Sequence, residues 1–131
     1  MLNDLSKQIH ENFVKNGFWD EQHNFLEVVA LCHSELSKAV TEYMDGKPFI
    51  YFPCNAGGLC CEENGRSHCG SKPYNSKHPN SRCSAQSKEP NGIAVEMVDC
   101  LIRILDWFGS EGLDADKILQ EKMVYLKSKS S

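Results

Sequence analysis

Acidic residues at helical spacing are the first feature of this 131-residue chain that points to chemistry. Glu96, Asp99, Arg103 and Asp106 stand at positions i, i+3, i+7 and i+10, so on a helix they form one narrow stripe. Apolar residues cover most of the remaining circumference, which predicts that this helix is buried. Because unpaired carboxylates are costly to bury, this stripe must meet cations, a metal ion or water.

A second interpretation of the same stripe is the solvent-facing side of an ordinary amphipathic helix. In that case Asp99 and Arg103 would form an i,i+4 ion pair. The pattern of this helix alone favours neither interpretation.

An earlier helix favours the buried interpretation. Glu35, Lys38 and Glu42 also stand at i, i+3 and i+7, and they continue the line of Val28 and Leu31. Because the first residues of this stripe are apolar and the later ones are charged, the stripe is more typical of a helix surface that packs against another helix than of a fully solvated one.

Two such stripes facing each other would bring Glu35, Glu96 and Asp99 together. Carboxylates at i and i+3 can chelate one hard cation, and Mg²⁺ prefers oxygen ligands while keeping several waters. Carboxylate pairs on facing helices are a recurrent way to build metal sites in helical bundles. The sequence therefore predicts a Mg²⁺ or Mn²⁺ site with these three ligands.

Residues 49–89 suggest a different kind of metal site. They hold five of the seven cysteines and open with an apolar segment, residues 49–52, that predicts a short strand or an apolar plug. One interpretation is a structural Zn²⁺ site, whose binding energy would fold a segment with no core of its own. Its candidate ligands are Cys54, Cys60, Cys61, Cys69 and Cys83. The other interpretation is a flexible insertion with free thiols, because no CxxC pair is present.

Four helices are predicted to position these residues, over residues 2–15, 22–44, 92–108 and 114–127. Gly17 ends the first helix, Gly109 and Gly112 mark the turn after the third, and Asp114 caps the fourth. We expect an all-α fold with a four-helix-bundle-like core. The irregular, Cys-rich insertion separates helices 2 and 3 within a single domain of residues 1–131.

Charge and hydropathy limit the partners. The net charge is −4 and the basic residues are spread along the chain, which argues against a nucleic-acid binder. No apolar run approaches the roughly 20 residues that span a bilayer, so no membrane partner is expected. The amino-terminal segment lacks the basic start and apolar centre of a signal peptide. We expect a cytoplasmic protein.

Several of these segments resemble the MazG-like branch of the all-α nucleoside triphosphate pyrophosphatases. Residues 30–37 (ALCHSELS) resemble the first metal-binding helix of that family, and residues 92–106 resemble the second, including an intact ExxD motif at Glu96 and Asp99. Residues 17–19 and 121–125 resemble the end of its first helix and its C-terminal substrate segment. The resemblance covers residues 1–48 and 90–129, with four segments in the same order.

The resemblance implies hydrolysis of an NTP or dNTP to the monophosphate and pyrophosphate, with Mg²⁺ or Mn²⁺ on Glu35, Glu96 and Asp99. It also implies a homo-dimer or homo-tetramer. The implied substrate contacts are Lys122, Tyr125 and Lys127 for phosphates, Trp19 for the base, and Asp106. For Trp19 the alternative is an apolar anchor at a helix turn, and for Asp106 it is a structural pairing with Arg103.

Two departures from the family pattern matter. Lys38 stands where the family has the second acid of its ExxE motif, and Leu126 replaces an Asn. A charged lysine does not ligate Mg²⁺. Three explanations stay open. Glu42 substitutes as a ligand; Lys38 takes over the charge of one metal and binds phosphate; or the chain is a catalytically impaired nucleotide- or zinc-binding module.

Overall fold

Four α-helices dominate the computed structural model, which describes residues 1–52 and 89–130 and the backbone of residues 62–63 and 66–67. They are α1 (Leu2–Lys15), α2 (Phe25–Met44), α3 (Ile93–Glu111) and α4 (Ala115–Lys129), with a short 3₁₀ helix at Phe18–Asp20. Two strands, β1 (Glu62–Glu63) and β2 (Arg66–Ser67), pair antiparallel. The predicted all-α class is confirmed, because helices make up most of the described residues.

The chain divides into two compact units. The first contains Met1–Cys32 and Cys100–Ser131, and the second contains His33–Asp99.

In the first unit, two aspartates connect the beginnings of α1 and α4. Asp116 accepts hydrogen bonds from the backbone N–H of Leu2 at 2.8 Å and of Asn3 at 3.1 Å. Asp114, the predicted N-cap of α4, accepts from the Asn3 amide at 2.8 Å and from the backbone N–H of Lys117 at 3.0 Å. Hydrogen bonds from Asn3 are the main reason that the pKa of both aspartates lies below its usual value.

The predicted end of the third helix is wrong by one turn. Gly109 lies inside α3, and the chain leaves the helix at Gly112, which has a φ of +65°. A Cβ at Gly109 would lie 2.6 Å from the Cβ of His10 and 2.9 Å from the carbonyl oxygen of Ser6. The glycine therefore permits a close approach of α1 to α3 and does not mark a turn.

The second helix also begins later than predicted, at Phe25 instead of residue 22. The side-chain oxygen of Asn24 accepts a hydrogen bond from the backbone N–H of Glu27 at 3.0 Å, which is the geometry of an N-cap. The residues before it do not continue the helix, because the 3₁₀ helix at Phe18–Asp20 and its exit redirect the chain.

In the second unit, the segment over residues 49–52 is not the predicted strand, and the alternative prediction of an apolar plug holds only in part. Tyr51 forms a single antiparallel bridge with Asn91, with N–H···O distances of 2.9 and 2.8 Å. Its side chain is buried, whereas that of Phe49 is exposed. One residue, rather than a strand, fixes this segment beside the beginning of α3.

The prediction that α3 is buried all round is also wrong. Met97 and Val98 are 52% and 51% exposed, and Leu101 and Ile104 are exposed as well. The physical reason is that the charged residues occupy the inward side of the helix, which leaves part of the apolar circumference at the surface. No helix in the described part of the chain is both long enough and apolar enough to cross a membrane.

Candidate functional site

The acidic stripe of α2 lies on the buried side of the helix. Glu35 is only 4% exposed, and Val28 and Ala39, on the same side, are buried. Leu36 and Val40, which the apolar pattern would place inside, are exposed. The carboxylate of Glu35 is therefore held in the interior, where an unbalanced negative charge is costly.

Three carboxylates converge within the second unit. Glu35 of α2 and Glu96 and Asp99 of α3 each offer an oxygen, and these atoms lie within 4.8 Å of one another. Among the described residues this is the one group of three or more His, Cys, Asp or Glu side chains with that spacing. The structure thus brings together the three residues predicted as ligands, and their binding of a metal stays a prediction.

The electrostatics of this cluster are unfavourable without a cation. Burial raises the pKa of Glu96 above its usual value, and a hydrogen bond with Glu35 raises it further. The negative charges of Asp99 and Glu35 act in the same direction, whereas Lys38 lowers it. The Oε2 atom of Glu96 is buried and has no hydrogen-bond partner among the described residues. A divalent cation would both satisfy this oxygen and relieve the repulsion.

Lys38 lies at the edge of the cluster. Its Nζ atom is 3.3 Å from Oε2 of Glu35, three residues earlier on the same helix. The lysine side chain is 57% exposed, whereas the carboxylate that it contacts is nearly buried. The Lys38 ammonium therefore lies between the buried Glu35 carboxylate and solvent.

Glu42, the predicted substitute ligand, is engaged elsewhere. Both of its carboxylate oxygens lie 2.9 Å from the hydroxyl of Tyr51, which donates to them. Burial and this contact raise the pKa of Tyr51 to about 12, so the hydroxyl keeps its proton. Glu42 is not part of the three-carboxylate group.

The backbone around Gly92 sets where α3 begins and hence where Glu96 and Asp99 lie. The carbonyl oxygen of Phe49 accepts a hydrogen bond from the backbone N–H of Ala94 at 3.0 Å. Gly92 has a φ of +119°, and a Cβ at this position would overlap that same carbonyl. The first turn of α3 is therefore hydrogen-bonded to the loop that contains Phe49. Only glycine at position 92 lets the Phe49 carbonyl come this close.

Two predicted substrate residues bind each other in the first unit. Asp106 is 3% exposed and accepts hydrogen bonds from Nδ1 of His10 at 2.8 Å and from the indole N–H of Trp19 at 3.0 Å. The indole also packs edge-on against His10 and Phe18. Both residues thus have structural partners, and their contact with a substrate stays a prediction.

The predicted phosphate contacts lie on α4, in the first unit. Lys122, Tyr125 and Lys127 are all exposed. The ammonium groups of Lys122 and Lys129 lie 5.2 and 5.0 Å from the centre of the Tyr125 ring, as in cation–π pairs. This face is positively charged and open to solvent.

The candidate zinc ligands Cys54, Cys60, Cys61, Cys69 and Cys83 lie outside the described residues, so the Zn²⁺ site stays a prediction. The other two cysteines, Cys32 and Cys100, lie in α2 and α3.

Sequence reasoning missed Tyr51, His10 and Gly92. Tyr51 sits in an apolar run that gave no sign of which residue would turn inward. His10 had no partner at helical spacing, because Asp106 is distant in sequence. Gly92 carried a usable signal, since a glycine directly before a helix often marks a special backbone conformation.

Comparisons with known proteins assign no family to this chain. No family model, no curated protein and no solved structure matches this chain.

Proposed function

We propose that this chain is a metal-dependent nucleoside triphosphate pyrophosphohydrolase with a MazG-type helical core. The observation that carries the proposal is the convergence of Glu35, Glu96 and Asp99 from two helices, within 4.8 Å. The donor set fits the metal, because carboxylate oxygens are the ligands that Mg²⁺ and Mn²⁺ prefer. The buried Oε2 of Glu96, which has no hydrogen-bond partner in the part of the chain that the structure describes, is available as a ligand atom.

The proposed reaction is attack of a water oxygen on the α-phosphorus. The bond from that phosphorus to the bridging oxygen of the β-phosphate breaks, and pyrophosphate leaves with the electron pair. The attacking water loses a proton to solvent as its new bond to phosphorus forms. The bound metal would polarise the phosphate chain and acidify water. The chain's own carboxylates orient the site and hold water by hydrogen bonds, while Lys38 offers a positive charge to phosphate oxygens.

The remaining assignments belong to the same proposal. Lys122, Tyr125 and Lys127 would contact phosphates from the exposed face of α4, and Trp19 and Asp106 would line the base site. Several apolar side chains of α3 and of α4 are exposed, and association of copies into a dimer or tetramer would cover such side chains.

The test is a turnover assay on the full chain. Each canonical NTP and dNTP is incubated with Mg²⁺ or Mn²⁺, and released pyrophosphate is measured. Glu96→Gln and Asp99→Asn should each lower turnover at least about a hundredfold, as expected for loss of a metal ligand. Glu111→Gln, which removes an exposed acid from the end of the same helix, is the matched control and should keep full activity.

A second function is favoured by one specific observation, the contact of Lys38 with Glu35 where a further acid is expected. In this second function, the chain is a catalytically impaired module that binds a nucleotide or zinc without hydrolysis. Folded protein that binds Mn²⁺ and nucleotide but releases no pyrophosphate from any substrate would support this module and exclude the enzyme for these substrates.

A further inference from the structure

The charges of the acidic cluster determine how many cations it can hold. Three carboxylates converge, and one divalent cation would leave a single negative charge. The Lys38 ammonium, 3.3 Å from Glu35, supplies a positive charge that would balance this remaining negative charge. Two divalent cations beside that ammonium would leave an excess of two positive charges, and like charges a few ångströms apart repel strongly away from bulk water.

The ligand set gives the same count by an independent route. A second cation would need further carboxylates, and the nearest acid along α2, Glu42, has both oxygens on the Tyr51 hydroxyl. Among the described residues, no fourth acidic side chain joins the three-carboxylate group. The buried Oε2 of Glu96, which has no partner in that same part of the chain, is available to coordinate a cation.

We propose that the site is a one-metal site in which the Lys38 ammonium takes the place of a second cation and binds a phosphate of the ligand. This inference rests on the proposed function for the metal and the phosphate ligand, but it concerns the number of ions and the role of one residue. An ammonium carries three N–H donors. One donor reaches Glu35, and the exposure of the side chain leaves the others available to an anion from solvent.

The ion count is tested without turnover. Mn²⁺ binding to the full chain is followed by electron paramagnetic resonance, which counts bound ions. We expect one ion per wild-type chain and two per chain of Lys38→Glu, because a glutamate restores a fourth carboxylate and removes the ammonium. Lys7→Glu, on the exposed face of α1, makes the same change in net charge and should keep one ion. Circular dichroism verifies that each variant is folded.

The phosphate contact is tested with inorganic pyrophosphate as the probe, by calorimetry in saturating Mn²⁺. Lys38→Met should keep one Mn²⁺ and weaken pyrophosphate binding about tenfold or more, the usual effect of losing a charge-assisted hydrogen bond. Lys38→Arg should restore part of the affinity.

The possible outcomes distinguish failure of the one-metal inference from failure of the proposed function. A wild-type chain that binds two Mn²⁺ ions overturns the one-metal inference while leaving the proposed function intact. A folded chain that binds no Mn²⁺ overturns the metal site and the proposed function together. Unchanged pyrophosphate affinity in Lys38→Met overturns the phosphate role of the lysine alone.

Discussion

The hydroxyl of Tyr51 lies 2.9 Å from both carboxylate oxygens of Glu42 and joins the segment before the insertion to the end of α2. The same tyrosine is paired through its backbone with Asn91, just before α3. Tyr51 therefore connects, by its side chain and its backbone, the two stretches of chain that carry the acidic ligands within the second unit.

Removing this hydroxyl should destabilise the protein. Tyr51→Phe leaves the partly buried Glu42 carboxylate without that donor, at a cost of about 1–3 kcal/mol in the free energy of unfolding. Urea denaturation measures it. The matched control is Tyr43→Phe, an exposed tyrosine on α2, which should change stability by less than about 0.5 kcal/mol. Equal effects of the two variants would contradict the role given to Tyr51.

At Gly109, helix propensity and packing predict opposite effects of a substitution on stability. Propensity alone predicts that Gly109→Ala stabilises α3 by about 1 kcal/mol. The structure predicts the opposite sign, a loss of about 1–3 kcal/mol, because the new Cβ would meet His10 and the backbone of Ser6. Thermal unfolding decides between them. Ser34→Ala, on the exposed side of α2, is the control for propensity without overlap and should be neutral or slightly stabilising.

His23 should make stability depend on pH near neutrality. Its Nδ1 lies 2.8 Å from the Glu27 carboxylate and its Nε2 lies 2.7 Å from the carbonyl oxygen of Phe18, so both nitrogens donate only when the ring is protonated. The bond to Glu27 is the main cause of the raised pKa. The stabilisation is fully present below the ordinary histidine pKa of 6.5 and is lost as the pH rises through the raised pKa of the folded state.

Chemical denaturation at about pH 5.5 and about pH 8.5 measures this effect, on either side of the ordinary histidine pKa. The stability difference between the wild type and His23→Gln should be larger at the lower pH. His33→Gln, an exposed histidine on α2, should show no such change. A difference for His23 that grows with pH would refute the assignment of a charged ring.

Glu96→Gln should stabilise the metal-free protein while destroying the metal site. The folded-state pKa of Glu96 is raised above the ordinary glutamate pKa of 4.5, mainly by burial. Its carboxyl therefore favours folding below pH 4.5 and loses this contribution as the pH rises through the folded pKa. The neutral amide of the variant does not ionise, so its contribution to folding does not fall as the pH rises. At neutral pH with a chelator, the melting temperature of Glu96→Gln should therefore exceed that of the wild type.

With millimolar Mn²⁺ the order should reverse, because only the wild type gains stability from binding. Glu111→Gln, outside the cluster, should follow the wild type in both conditions. A variant less stable than the wild type in chelator would show that Glu96 has a structural role and that its carboxylate is not held under repulsion.

The sequence predicted the four helices because each has a strong 3.6-residue pattern, and the bounds of α1 agree from Leu2 to Lys15. It also placed Glu96 and Asp99 on one side of α3, since spacing alone fixes that relation. Their approach to Glu35 required the stripe on α2 to be recognised as a seam, and the continuation of Val28 into Glu35 gave that indication.

What the sequence did not reveal depends on contacts between distant residues. Nothing near Asp106 in sequence indicated that His10 and Trp19 would donate to it, nor that Gly109 would be pressed against α1. The exposed apolar side of α3 was missed for a related reason. A pattern of hydrophobicity assumes that apolar residues face inward, and in α3 the charged residues do so.

The position of the acidic cluster depends on Gly92, although this residue has no side chain of its own. Any side chain there would collide with the carbonyl of Phe49 and displace the turn from which Glu96 and Asp99 project. Grafting the two acidic helices onto another scaffold would therefore fail unless the loop and this glycine were moved with them. In a library of random variants selected for metal binding, position 92 should tolerate as little change as the carboxylates themselves.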